Sequence, residues 1–240
     1  MRRTVDGPYR PPMTFIRRLI PAVLILAAGV GAVGTLAPGG LGDPRPQVVT
    51  GGVSADLYRD VVGVPADVVR LGEHVALGAP LALSVALAWV GWVGWRRRTA
   101  ATAVVALTAA GAVLAYVTSE ALKLVVDQER PCRAIADVPG WVPCPPAGDW
   151  SFPSNHATVA GALATGLVLA APRLAGFAVP AGLLAAAARV VAGVHYPHDV
   201  VAGLFLGMAT TAAVVVLLTP AVRRPVGPSR DRCAPGRPAH

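Results

Sequence analysis

Three short polar segments carry side chains that could bind an anion and move protons, although the chain around them is strongly apolar. Of the 240 residues, 54% are hydrophobic and only 14% are charged. The side chains of interest are Lys123 and Arg130 in the first segment, Ser154, Asn155 and His156 in the second, and Arg189, His195 and Asp199 in the third. Ionisable groups are costly at membrane depth, so we interpret the three segments as parts of one functional site.

The basic side chains predict a site for a phosphoryl group. Guanidinium groups, here Arg130 and Arg189, bind phosphate oxygens through two parallel hydrogen bonds, and Lys123 supplies a mobile positive charge. Ser154 is predicted to be the N-cap of a helix, so the backbone N–H groups near Asn155 would point toward the anion. We therefore expect all five of these residues to bind phosphate.

The two histidines of these segments suit nucleophilic and acid–base roles at phosphorus. His195 can attack phosphorus if an acceptor holds its second nitrogen, and Asp199 is the candidate acceptor. His156 can protonate the leaving alkoxide and then activate water. Because Pro197 disfavours a continuous helix here, we expect His195 at the end of one helix and Asp199 as the N-cap of the next.

The third segment reaches one site only if its first helix ends early. Arg189 and His195 are six residues apart, which places them on different faces of an ideal helix. We expect the helix to end near Gly193, so that the chain turns back and brings both side chains together.

The apolar segments predict an all-α integral membrane protein. A membrane-spanning helix needs about 20 predominantly apolar residues. Six segments approach this length, although the fourth is short: 19–36, 75–93, 101–126, 157–171, 174–193 and 200–218. Their many alanines and glycines are typical of close helix packing in lipid. We predict one six-helix membrane domain over 19–218, between disordered cytoplasmic tails, 1–18 and 219–240.

The distribution of arginines predicts the orientation in a cell membrane. Arginines precede the first apolar segment, join the second to the third and the fourth to the fifth, and follow the sixth. By the positive-inside rule, both termini are then cytoplasmic and the three polar segments lie on the extracytoplasmic side. The first apolar segment could instead be a cleaved secretory signal, although its end matches the usual cleavage site poorly.

The remaining charged and polar residues receive simpler interpretations. The net charge of +8 could indicate nucleic-acid binding, but the arginines lie at the ends of apolar segments, so we expect no nucleic-acid partner. Glu120 is predicted to pair with Lys123 on the same helix. His198 is predicted to be a solvated residue in an exposed turn, and His74 a polar residue at the membrane interface.

Two of the three cysteines lie in one polar loop. Cys132 and Cys144 could close a ring of thirteen residues. If the loop faces an oxidising compartment, such a disulfide would contribute roughly 3 kcal/mol of stability. Two unpaired thiols agree with the sequence equally well.

The three polar segments together resemble a known signature. Lys-x6-Arg-Pro at 123–131, Pro-Ser-x-His at 153–156 and Arg-x5-His-x3-Asp at 189–199 are similar in order and spacing to the motifs of the type 2 phosphatidic acid phosphatase superfamily. The resemblance implies a six-helix core and a phosphatase that needs neither a metal ion nor another cofactor. It implies that His195 is the nucleophile, Asp199 its orienting partner and His156 the acid and base.

The chain departs from this signature at two positions. Asn155 stands where the family usually has glycine, and we expect the anion-binding turn to persist because asparagine tolerates unusual backbone angles. Ala188 stands where the family often has serine, so one hydrogen bond to phosphate would be missing. Both departures leave the catalytic groups in place.

The expected partners are membrane lipids and a phosphorylated lipid substrate. Polyprenyl diphosphate, phosphatidate, phosphatidylglycerophosphate and a polyprenyl-linked sugar phosphate all present the required anion on an apolar tail. The alternative is a non-catalytic protein on the same fold that binds or transports lipid phosphates. That alternative needs the basic residues but not a nucleophile with its orienting partner, so both histidines and Asp199 favour the enzyme.

Overall fold

The computed structural model describes residues 15–40, 46–136 and 142–222, which form a bundle of helices. The helices are α1 (Phe15–Leu36), α2 (Val53–Val62), α3 (Ala66–Arg96), α4 (Ala101–Val126), α5 (Pro131–Ala134), α6 (Asn155–Ala170), α7 (Ala175–Val191) and α8 (Pro197–Val222). A short 3-10 turn, Pro172–Leu174, joins α6 to α7. The predicted all-α class is confirmed for the described residues.

Five of these helices are long and apolar enough to cross a membrane, namely α1, α3, α4, α7 with its preceding turn, and α8. The sixth apolar helix, α6, has 16 residues. Its length is about 24 Å, against about 30 Å for the hydrocarbon core of a bilayer. The chain is therefore a multi-span helical protein, and the predictions of six spans and of two cytoplasmic termini stay predictions.

The helix ends extend beyond several of the apolar segments. The bounds of α4 match the predicted segment, but α3 begins at Ala66 rather than at residue 75. Hydropathy marks the part of a helix that lies in lipid, and polar residues can continue the helix beyond it. In the same way, α1 and α8 continue into residues 15–18 and 219–222 of the predicted tails. The rest of both tails lies outside the described residues.

The short helix α2 is absent from the sequence prediction. Its side chains at Ala55, Tyr58 and Val62 are buried, at the three- and four-residue spacing of a helix face. This face packs against α7 and α8. A search for membrane spans misses this helix, because it has only ten residues and only one of its faces is apolar.

A glycine pair allows α6 and α8 to approach closely. A Cβ atom on Gly207 would lie 2.0 Å from the carbonyl oxygen of Thr158, and one on Gly203 would lie 2.5 Å from that of Ser154. Both glycines lie on one face of α8 because they are four residues apart, a spacing typical of helix pairs in membranes. This contact brings the beginning of α6 beside the beginning of α8.

Four helix ends meet at one end of the bundle. The last residues of α4 and α7 lie near the first residues of α6 and α8, where the Ser154 N–H donates to the Asp199 carbonyl over 3.1 Å. The arginine triplet 96–98 precedes α4 and therefore lies at the opposite end of this 26-residue helix, about 39 Å away.

Candidate active site

Backbone hydrogen bonds hold the three polar segments together. The Ser151 N–H donates to the Gln128 carbonyl over 2.8 Å, which joins the second segment to the first. The bond from Ser154 to Asp199 joins the second segment to the third. The helix ends and these two bonds assemble one polar site from three distant parts of the chain.

His195 and Asp199 are buried side by side. His195 Nδ1 lies 3.4 Å from Asp199 Oδ2. The Ser151 hydroxyl donates to the same carboxylate oxygen and lies 3.4 Å from His195 Nδ1. Because both neighbours of Nδ1 can accept a hydrogen bond from it, we assign the ring proton to Nδ1 and the lone pair to Nε2.

Asp199 is the third residue of α8, and its prediction as the N-cap was wrong. The helix begins at Pro197. The Tyr196 N–H donates to Asp199 Oδ2 over 2.9 Å, and the Asp199 N–H donates to the Tyr196 carbonyl over 3.1 Å. The Asp199 carboxylate thus caps the N–H of Tyr196, the residue before α8, and proline is tolerated at the first helical position because that position needs no N–H donor.

Burial keeps the His195 imidazole neutral. Burial is the largest influence and lowers the pKa of His195 to about 4, since the opposing effect of the Asp199 carboxylate is smaller and Arg130 acts in the same direction as burial. The lone pair on Nε2 faces Nη1 of Arg130 at 3.2 Å. At neutral pH the ring is therefore unprotonated at the nitrogen that would attack phosphorus.

Arg130 and Lys123 meet at the carboxylate of Asp149. Asp149 Oδ1 lies 2.9 Å from Arg130 Nη2 and 3.6 Å from Lys123 Nζ. Burial acts to raise the pKa of Asp149, but the hydrogen bond and charge of Arg130, with the weaker effects of Lys123, outweigh it and lower the pKa. The Asp149 carboxylate therefore binds two of the cations that are predicted to bind phosphate. The predicted pair of Glu120 with Lys123 is confirmed, with an N···O distance of 3.2 Å.

Ser154, Arg189 and His156 complete the basic site. Among the described residues, the buried Ser154 Oγ and Arg189 Nε atoms have no hydrogen-bond partner. His156 lies within electrostatic range of Arg189, Arg130 and Lys123. Buried polar atoms are normally paired, so these two unpaired atoms, one of them on a cation, suit an anionic ligand. In the part of the chain that the structure describes, no three His, Cys, Asp or Glu side chains form a metal-binding group.

The Asn155 side chain forms its hydrogen bonds with residues of α4. Its amide oxygen accepts a hydrogen bond of 2.7 Å from the Ser119 hydroxyl, and its amide nitrogen donates to the Glu120 carboxylate. Asn155 is also the first residue of α6, so its backbone is helical and requires no unusual angles. Of its predicted phosphate-binding groups, only the backbone N–H at the helix start remains suited to that role.

The turn after α7 brings Arg189 and His195 into one site. The helix ends at Val191, and Gly193 has a φ of +76°, which favours glycine because it has no Cβ atom. The charge of Arg189 acts on the His195 imidazole across this turn. The predicted end of the helix near Gly193 is confirmed.

A disulfide joins Cys132 and Cys144, whose Cα atoms are 5.9 Å apart. Cys132 lies two residues after Arg130, and Cys144 lies five residues before Asp149. The bond therefore links the two stretches that supply the guanidinium and carboxylate of this ion pair.

A family model described as the PAP2 superfamily matches residues 99–223, more than half of the chain. The chain belongs to the PAP2 superfamily. The matched region of this PAP2 protein contains all three polar segments and the four helix ends that assemble them. The resemblance noted in the sequence is therefore confirmed at the level of the family.

Curated relatives of this PAP2 chain are named as phosphatases. An undecaprenyl-diphosphatase of Sulfolobus acidocaldarius is 35% identical over 96 residues, 40% of this chain and 46% of the relative. A decaprenylphosphoryl-5-phosphoribose phosphatase of Mycobacterium tuberculosis is 37% identical over 115 residues, 45% of this chain and 58% of the relative. The alignments with these relatives span about half of their length. A lipid A 1-phosphatase of Rhizobium etli is 40% identical over 57 residues, about a quarter of each protein.

A solved PAP2 structure has the same fold. The crystal structure of a transmembrane PAP2 type phosphatidylglycerolphosphate phosphatase from Bacillus subtilis aligns with a TM-score of 0.51. The alignment covers 88% of this chain and 98% of that one, with 18% sequence identity. At this identity the likeness concerns the fold alone.

His198 of this PAP2 chain lies among polar partners, so its prediction as a solvated residue was wrong. Its imidazole contacts Ser54 Oγ at 2.6 Å, Gln128 Oε1 at 3.1 Å and Asp199 Oδ1 at 3.1 Å. Two of these partners are 70 and 144 residues away, so the local sequence carries no sign of them. His74, in contrast, is exposed, as expected for an interfacial residue.

An apolar cleft of about 290 Å³ opens beside His156. It lies between α3, α4 and α6 and is lined by Ala76, Leu77, Pro80, Tyr116, Asn155, His156 and Val159. The cleft brings apolar surface to the edge of the basic site, which suits a ligand with a charged head and an apolar tail.

Sequence reasoning missed Ser151 and Asp149, which both contact predicted site residues. Their positions before the Pro-Ser-x-His motif are the only local signal. A hydroxyl or carboxylate in a loop is ordinarily solvated, and its partner across the site becomes visible only when the chain is folded.

Proposed function

We propose that this PAP2 protein is a lipid phosphate phosphatase that works through a phosphohistidine intermediate on His195. The observation that carries the proposal is the buried, neutral His195, whose Nδ1 faces the Asp199 carboxylate and whose Nε2 faces Arg130. A non-catalytic binding site needs the cations but not this pair.

The proposed reaction has two displacements at phosphorus. In the first, His195 Nε2 forms a bond to phosphorus while the bond to the leaving oxygen breaks, and His156 gives that oxygen a proton. In the second, His156 takes a proton from water, the water oxygen bonds to phosphorus, and the N–P bond breaks. Asp199 stabilises the positive charge that develops on the imidazole, and Lys123, Arg130 and Arg189 stabilise the charge on the phosphoryl oxygens.

A lipid substrate is supported by the apolar cleft beside His156 and by the membrane-spanning helices. The named activities of the relatives also favour a lipid, since undecaprenyl diphosphate, decaprenylphosphoryl-5-phosphoribose and lipid A all join a phosphate to a long apolar chain. We propose a phosphate or diphosphate on a polyprenyl or diacyl lipid as the substrate class.

The test of this function is a panel assay on the purified full-length protein in detergent. The substrates are undecaprenyl diphosphate, phosphatidate, phosphatidylglycerophosphate and a polyprenyl-linked sugar phosphate, each assayed with a chelator and without added metal. We expect release of inorganic phosphate from at least one of them. Binding of all four without turnover would favour the non-catalytic alternative.

We further propose that the site faces the extracytoplasmic side. The disulfide of Cys132 and Cys144 agrees with an oxidising compartment, and the arginine triplet 96–98 lies at the opposite end of α4. A Gly51→Cys variant, beside α2, is expected to react with a membrane-impermeant maleimide on intact cells. The matched Arg97→Cys variant is expected to react only after permeabilisation, and the reverse pattern would contradict the orientation. Both variants carry Cys233→Ser.

Asp149 is expected to compete with phosphate for Arg130 and Lys123. Since Asp149 contacts both cations, Asp149→Asn removes a competing charge while the backbone carbonyl that binds Arg130 stays. The Asp149 side chain is 44% exposed, and a solvent-screened ion pair contributes up to about 1 kcal/mol, so we expect inhibition by inorganic phosphate to become about fivefold stronger.

The matched control for this prediction is Asp56→Asn, which removes the carboxylate of an exposed ion pair on α2. The inhibition constant for phosphate should be unchanged in that variant. Weaker inhibition in Asp149→Asn would mean that the carboxylate supports the cations and does not compete for them.

A further inference from the structure

We propose that His198 is a positioning residue that holds the second oxygen of the Asp199 carboxylate through the close polar contact of its Nε2–H, with Ser54 of α2 selecting the required tautomer. The inference rests on the proposed function, since it concerns the group that orients His195. It adds to the site a third imidazole, from a position that the third motif leaves unspecified, and helix α2, which lies outside the three motifs.

The tautomer follows from the two contacts of Ser54. The His198 backbone N–H donates to Ser54 Oγ over 3.3 Å, and the same Oγ lies 2.6 Å from His198 Nδ1. A serine hydroxyl that accepts one hydrogen bond still has its own proton to donate. The hydroxyl proton is therefore directed at Nδ1, which leaves the ring proton on Nε2.

The protonated Nε2 faces two acceptors. Gln128 Oε1 and Asp199 Oδ1 each lie 3.1 Å from it. The geometry to Gln128 is that of a hydrogen bond, whereas Asp199 Oδ1 is a close polar contact without hydrogen-bond geometry. A shared N–H between an amide oxygen and a carboxylate oxygen is drawn toward the carboxylate because of its negative charge.

The other oxygen of Asp199 is already fully engaged. Oδ2 accepts from the Ser151 hydroxyl and the Tyr196 N–H, and it faces His195 Nδ1. Oδ1 lies 3.1 Å from His198 Nε2, and Asp199 is fully buried. Without His198, this desolvated carboxylate oxygen would lose its contact with a polarised N–H, which weakens the hold of the carboxylate on His195.

Aromatic packing keeps the His198 ring in place. The ring stacks on Tyr196, with centroids 5.2 Å apart and an angle of 19° between the planes. Phe152 lies on another side, with a centroid distance of 6.1 Å. A ring held in this way has little rotational freedom, which is what a positioning residue requires.

The experiment compares His198→Leu with His198→Gln in the full-length protein. Leucine keeps bulk but removes the donor, whereas the amide nitrogen of glutamine is the same number of bonds from the backbone as His198 Nε2. We expect His198→Leu to lower kcat about 10- to 100-fold with KM within about twofold, the effect of losing one hydrogen bond to a charged group. His198→Gln should restore kcat to within about fivefold of the unmutated protein.

Two further measurements separate positioning from packing. The downfield proton resonance of His195 Nδ1–H should shift in His198→Leu and stay in place in His198→Gln. Ser54→Ala should also lower kcat, but by less than His198→Leu. This variant removes the hydroxyl that fixes the His198 tautomer, while the imidazole ring stays. His74→Leu is the matched control, because that histidine is exposed on α3.

The outcomes are distinct. An unchanged kcat in His198→Leu would overturn the inference. It would also be overturned if His198→Leu and His198→Gln lost kcat equally and showed an equal fall in the thermal midpoint. If the unmutated protein hydrolyses none of the lipid phosphates, the proposed function fails, and the resonance of His195 Nδ1–H still tests whether His198 positions Asp199.

Discussion

His195→Ala is expected to lower phosphate release by at least about a thousandfold, since removal of a nucleophile leaves only the contribution of binding and charge stabilisation. The basic groups Lys123, Arg130 and Arg189 stay in place in this variant. We therefore expect the protein still to bind inorganic phosphate, measured as inhibition of any residual activity or as direct binding. The measurement is phosphate release from the best substrate of the panel, with His74→Ala as the control for loss of an exposed imidazole. Full activity of His195→Ala would remove the proposed chemistry.

The phosphohistidine itself can be trapped in a second variant. With p-nitrophenyl phosphate, the leaving group needs no proton, so His156→Ala should still undergo the first displacement but hydrolyse the intermediate slowly. We expect a burst of nitrophenol and a protein whose intact mass increases by one phosphoryl group, located on His195. A burst without a covalent adduct would point to direct attack by water.

Gly207→Ala is expected to lower the thermal midpoint in detergent by at least about 5 °C and to reduce activity. The new Cβ atom would lie 2.0 Å from the Thr158 carbonyl oxygen, so α6 and α8 must separate to admit it. Because Ser154 directly precedes α6 and α8 carries Asp199, the separation would also pull apart the two sides of the site.

Gly78→Ala is the matched control for this variant. A Cβ atom on Gly78 of α3 would meet no atom within 4 Å. Alanine stabilises the interior of a helix relative to glycine, so the thermal midpoint of Gly78→Ala should stay the same or rise. An unchanged midpoint in Gly207→Ala would contradict the close contact of α6 with α8.

The sequence by itself determined the helical class and the position of the apolar segments, and it predicted the principal site residues. Hydropathy is a local property of the chain, so the core of each apolar helix was visible, including both ends of α4. The three motifs predict His195, Asp199, Arg130 and Lys123 as site residues. A local rule, the freedom of glycine at positive φ, located the turn at Gly193.

Only the tertiary structure decided which partners these side chains have. Ser151 contacts Asp199 across 48 residues, and Ser54 contacts His198 across 144 residues, so neither pairing leaves a periodic or spacing signal. The same applies to Asn155, which turns to Ser119 and Glu120 of α4, and it applies to Asp149 beside the two cations. Hydrogen bonds and ion pairs depend on distances of about 3 Å between atoms, and for residues far apart in the chain those distances are set by helix packing, here above all by the close contact of α6 with α8.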